Sequence, residues 1–255
     1  MGDFERRNQR AIDGLNQRGG RMLSLVDLLD AGTVGLDLAA ELAQAAGRGG
    51  SFLTAAGPGG VGKTTLMGAV LAFLPPGTEI VTVEGPRTLA GLAGGPPDPP
   101  QCAVVHEIGA GSYYGYLWGP AVAAYLDLAR AAGRSIASNL HAETYDRAAG
   151  QLTGPPLGVS VEALGGVDLL AFMARVGPKR RVTSVWQAAG GAHEMTWRWS
   201  PGDDAFERVG PAGREDDLRR FGDFLERAWR DGCREMESLR RRALDQLFAP
   251  AGDGP

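Results

Sequence analysis

Lys63 and Thr64, near the end of the stretch Gly57-Pro58-Gly59-Gly60-Val61-Gly62-Lys63-Thr64-Thr65, are the residues whose types and spacing point most directly to chemistry. The stretch fits GxxxxGK[ST] at every required position. Glycines at 57, 59, 60 and 62 let the backbone take positive-φ conformations, so that consecutive N–H groups converge on one cluster of phosphate oxygens. Lys63 adds a point charge for the β- and γ-phosphates, and the Thr64 hydroxyl is placed to ligate Mg²⁺. The expected chemistry is binding of a nucleoside triphosphate, with ATP and Mg²⁺ as cofactors. A glycine-rich turn that binds nothing would account for the glycines but not for the Lys-Thr pair.

Such a loop works only between a strand and a helix. Residues 51–56 (SFLTAA) read as a strand, and residues 63–73 (KTTLMGAVLAF) read as a helix closed by Pro75 and Pro76, whose positive end faces the same phosphates. Four further apolar runs, at 79–83, 102–108, 134–140 and 168–176, have strand character, with helical patterns between the earlier ones. Strands alternating with helices predict a parallel sheet whose ligand lies at the strands' carboxyl ends. Residues 181–188 and 193–200 alternate instead like antiparallel strands around Ala189-Gly190-Gly191, which predicts a meander packed by Trp186, Trp197 and Trp199.

The 255 residues are enough for one α/β domain with terminal extensions. Residues 1–20 read as a loosely ordered, charged lead-in, 21–210 as the domain, 211–248 as one long amphipathic helix lying against it, and 249–255 as a tail. A net charge of −4 argues against a basic nucleic-acid surface, and nucleic acid is not an expected partner. Cys102 and Cys233 match no metal spacing and fit a reducing compartment. The polar start MGDFERRNQR and the lack of a long apolar run predict a cytoplasmic protein.

Three ordered blocks carry a resemblance. The run SLVDLLDAGTV followed by GPGGVGKTTLMGAVLAFLPPGTEIVTVEGP, the block GRSIASNLHAET at 133–144, and the pair VDLL and RRVTSV at 167–185 together resemble the type II/type IV secretion and pilus-assembly ATPases, in the tight-adherence (Flp) pilus branch. The resemblance implies a RecA-like P-loop core spanning 21–210. It also implies a homo-oligomeric, hexameric ring and a membrane-associated secretion or pilus platform as partner, hence a place at the inner membrane through that partner. By the same resemblance Glu84 ends the family's Asp box, Glu107 in Ala103-Val104-Val105-His106-Glu107-Ile108 corresponds to the Walker B glutamate, and His141 belongs to the His box. Glu107 would hold the Mg²⁺ shell or orient the attacking water, because phosphoryl transfer is mostly positioning and charge neutralisation. Glu84 would polarise water or reach the Mg²⁺, and His141 would sense the γ-phosphate.

The chain departs from the family in five places. His106 stands where the family has glycine, Gly109-Ala110 where it usually has Arg and an acidic or small residue, and Gly85 where it has a second acidic residue. Residues 85–101 form a short segment in which only Arg87 represents the family's arginines, and only about twenty residues precede the recognisable linker, too few for the family's N-terminal domain. These departures bear on hydrolysis and ring assembly, not on nucleotide binding. Two functions stay open: an ATPase motor that couples turnover to movement of a partner, and a nucleotide-dependent assembly protein with weak or no hydrolysis. Tyr113-Tyr114-Gly115-Tyr116-Leu117-Trp118 matches no part of the family, and core packing of the helix that follows is expected of it ahead of a partner surface.

Overall fold

The structure is a computed structural model that describes residues 2–16, 19–57, 59–111, 113–211 and 215–248. Three helices, α1 (Asp3–Gly14), α2 (Leu25–Asp30) and α3 (Leu36–Gly47), precede strand β1 (Phe52–Ala55), and α4 (Lys63–Leu71) leaves the glycine-rich loop. Then come β2 (Glu79–Thr82), α5 (Pro86–Gly91), β3 (Gln101–Ile108), the short β4 (Tyr116–Leu117), α6 (Ala121–Asp127) and β5 (Arg134–Leu140). Helices α7 (Tyr145–Thr153) and α8 (Val161–Leu164) lead to β6 (Leu169–Val176), β7 (Lys179–Ala189), β8 (Ala192–Ser200) and β9 (Ala205–Arg208), and α9 (Glu215–Arg230) and α10 (Met236–Leu247) close the chain.

The described strands form one nine-stranded mixed sheet of order β2-β3-β5-β1-β6-β7-β8-β9, with β4 paired to β3 off that path. β1 runs parallel to β5 and β6, and β3 runs parallel to β2, β4 and β5. From β6 to β9 every pairing is antiparallel, which is the expected meander. All four residues of β1 are buried, because helices cover both faces of a central parallel strand. Strand alternation splits the core in two: Phe52 and Ala171 pack with α3, α4 and α9, and Leu53, Leu170 and Phe172 pack with α6, α7 and α8.

Three expectations are corrected. Residues 3–14 are helical where a loose lead-in was expected. The charged residues conceal an inward face on which Ile12 is fully buried, and Asn8 bonds the edge of β2 twice, donating to Thr78 O at 2.8 Å and accepting from Ile80 N at 2.9 Å. The single helix expected over 211–248 is two. Gly232 takes φ +65°, and Cys233 N bonds Ala228 O at 2.9 Å, an αL termination of α9 that the periodicity of the apolar positions passes over. The tail at 249–255 lies outside the described residues. The aromatic stretch is not core packing, since Tyr113 and Tyr114 are exposed and Tyr116 faces a cavity.

Helix α10 matters to the loop through one buried side chain. Arg240 pairs with Glu5 at 2.7 Å and donates to the carbonyls of Ala72 and Leu74 at 3.0 and 3.1 Å, just beyond the last turn of α4. A cation there complements the negative end of the helix whose other end carries Lys63.

Candidate functional site

Gly62 is the N-cap of α4 and adopts φ +109°, a conformation that glycine takes without penalty. It turns the chain from the loop into the helix, so that Lys63 and Thr64 stand at the positive end of α4. Gly59, Gly60, Val61, Gly62, Lys63, Thr64 and Thr65 border one cavity of about 710 Å³, within the range of small-molecule sites. Gly57 borders an adjoining hollow with Glu143 and Arg147, and Pro58 lies outside the described residues.

Glu107 and His106 both border this cavity, which strict alternation along β3 does not allow. The cause is a register shift. Val105 pairs with Ser138 but Ile108 pairs with Leu140, so β3 holds one extra residue opposite β5 at His106-Glu107. The bulge leaves Glu107 buried, with its carboxylate 3.7 Å from the Lys63 ammonium and in contact with His141 Nε2. His141 Nδ1 lies 2.9 Å from Gly57 O and 3.3 Å from Lys63 Nζ, so the histidine joins the loop to the carboxylate. Burial pushes the Lys63 ammonium below its ordinary range, against the pull of Glu107. Tyr116, paired in register with Glu107, is pushed up by burial and by that carboxylate's charge.

His106, the departure from the family pattern, serves a structural purpose. Its ring stacks on Tyr116 at 6.0 Å, and its Nε2 lies 3.2 Å from Leu15 O, at the end of α1. Burial holds it below the usual imidazole range, and Nε2 must carry the proton to donate to that carbonyl.

Asn139 is a residue of this site that sequence reasoning missed. Its amide donates to Thr64 Oγ1 at 3.0 Å and to His106 O at 2.6 Å, and its carbonyl oxygen accepts from Thr54 Oγ1 at 2.5 Å. The network spans β1, β3, β5 and α4, and it was signalled only by polar Ser138-Asn139 near the end of a strand-like run.

Glu84 is not brought to the cavity. Its carboxylate is exposed at the end of β2 and accepts the Tyr114 hydroxyl at 2.6 Å. Among the described residues, no group of three or more His, Cys, Asp or Glu side chains converges as a metal site. The Thr64 hydroxyl and the Glu107 carboxylate border one cavity beside the glycine-rich loop, and oxygen donors of this kind suit Mg²⁺, which keeps most of its shell as water and ligand oxygen. No family model matches this chain, and no curated protein does.

Proposed function

We propose that this chain is a RecA-like P-loop domain that binds ATP·Mg²⁺ and hydrolyses it, a core of the kind used by secretion and pilus-assembly motors. The observation that carries the reading is the convergence of Lys63, Thr64, Glu107 and His141 on one cavity at the carboxyl ends of β1, β3 and β5.

Each residue then has a task. The N–H groups of the loop and the Lys63 ammonium bind the phosphate oxygens, and a triphosphate exchanges for Glu107 as the partner of Lys63. Thr64, held by Asn139, and Glu107 would hold Mg²⁺, which supplies charge neutralisation on the phosphates when bound. Glu107 accepts a hydrogen bond from the attacking water and orients it. His141 holds Glu107 in place and reports the phosphate end of the site to the loop through Gly57 O. Burial of Lys63 and Glu107 strengthens both interactions by excluding solvent.

Steady-state turnover of ATP by the wild type, beside Glu107→Gln, tests the reading. Turnover that Glu107→Gln reduces about a hundred-fold or more supports it, and wild-type turnover no faster than the variant's contradicts hydrolysis. One observation favours the second reading, a nucleotide-dependent assembly protein with weak turnover. Glu84 is held by Tyr114 away from the cavity, so Glu107 acts without a second carboxylate.

A further inference from the structure

The positions of Glu107 and His141 fix which end of a bound nucleotide reacts. Both reach the cavity from β3 and β5, on one flank of β1, whereas β6 and β7 lie on the other flank. A phosphate chain lying across the loop with its γ-phosphate toward Glu107 therefore directs its α-phosphate toward the β6–β7 hairpin.

Arg180, near the start of β7, occupies that flank. A Cβ built on Gly62 would lie 3.4 Å from Arg180 Cδ and 3.6 Å from Met173 Cε, so the arginine stem lies beside the loop, in the space that a side chain at position 62 would take. Arg180 borders the same cavity as Lys63 and Thr64. Its neighbours on the strand are both paired: Lys179, which also borders the cavity, and Arg181 bond Asp204, at 3.0 Å and 2.8 Å. Among the described residues its guanidinium has no hydrogen-bond or ion-pair partner.

We infer that Arg180 is a nucleotide-binding residue that holds the α-phosphate, the non-reacting end of the chain, from within the same subunit. The inference rests on the nucleotide-binding reading above. A planar guanidinium with free donors is suited to phosphate oxygens, and the ligand supplies the partner that the protein does not. An interaction with the α-phosphate is the same in the ground state and in the transition state. It therefore contributes to affinity and not to the chemical step.

Calorimetric titration of ATP and of ADP into wild type, Arg180→Ala and Arg180→Lys, with ATP turnover measured alongside, tests this. In Arg180→Ala the Kd for ATP and for ADP should rise by a common factor of roughly ten, with KM rising and kcat unchanged. Arg180→Lys should recover part of the loss. Unchanged affinities in Arg180→Ala would overturn the inference. A loss confined to ATP and accompanied by a fall in kcat would also overturn it, by placing Arg180 at the γ-phosphate. A wild type that binds neither nucleotide would instead overturn the reading beneath it.

Discussion

Asn139 donates a hydrogen bond to Thr64 Oγ1 at 3.0 Å, which ties the end of the glycine-rich loop to a strand 75 residues later in the chain. The same amide bonds His106 O, and its carbonyl accepts from Thr54, so both of its N–H donors and its oxygen are engaged. The Thr64 hydroxyl is thereby oriented before any ligand arrives.

Replacing Asn139 with leucine should lower both stability and Mg²⁺-dependent binding. The Thr54 hydroxyl and the His106 carbonyl would lose a buried partner, at a cost of about 2–4 kcal/mol in all. Urea unfolding measures that cost. ATP titration with Mg²⁺ and with a chelator separates the loss of Thr64 orientation, which should weaken binding only where the metal is present.

The two glutamates should behave differently. Glu107→Gln removes the charge that faces Lys63 and His141, and should abolish turnover while leaving ATP bound. Glu84→Gln alters an exposed carboxylate outside the cavity, and should change kcat by less than about two-fold, the scale of surface substitutions. Parallel turnover assays decide it, and a dead Glu84→Gln would show that the carboxylate roles are reversed.

Arg240→Met should destabilise the fold by about 3–5 kcal/mol, because it leaves Glu5 and two carbonyls at the end of α4 without their partner. The measurement is the unfolding midpoint in urea at constant m-value. An unchanged midpoint would mean that α10 does not anchor α4.

Stability should fall as pH drops below about 6.5, the ordinary imidazole value. Burial holds His193 below that value, and its Nε2 donates to Val167 O at 2.7 Å while Tyr145 O–H lies 3.2 Å from Nδ1. The unfolded chain then binds a proton that the folded chain refuses, so unfolding is favoured as acidity rises, by at most about 1.4 kcal/mol per pH unit for this group. His106 adds in the same direction. Asp204, held well below the carboxylate range by Arg181, Lys179 and Trp199, adds stability that is lost only below about pH 4. Unfolding of His193→Gln between pH 5 and pH 7, a window spanning that ordinary value, should show a shallower slope than wild type.

The loop and its flanking strand and helix were legible because glycine spacing and apolar runs encode local structure. The strand ends that carry Glu107 and His141 were legible as runs of apolar residues. What places Glu107 in the cavity was not, since the bulge at His106-Glu107 is a property of its register with β5 and of no short window in β3. Asn139 and Arg180 escaped notice for the same reason: each is brought beside the loop from a strand distant in sequence. Glu84 showed the opposite error, a strand-end carboxylate that the edge position of β2 carries away from the cavity. Helix α1 was hidden because Asn8 and Gln9 occupy inward positions where periodicity looks for apolar residues.

The central claim is that residues 57–65 hold a nucleotide, and calorimetric titration of ADP and of ATP·Mg²⁺ into the wild type and Lys63→Ala tests it most directly. Saturable binding of both nucleotides to the wild type, weakened at least roughly ten-fold in Lys63→Ala, is the predicted result. Absence of binding to the wild type, or equal binding to both proteins, would contradict it.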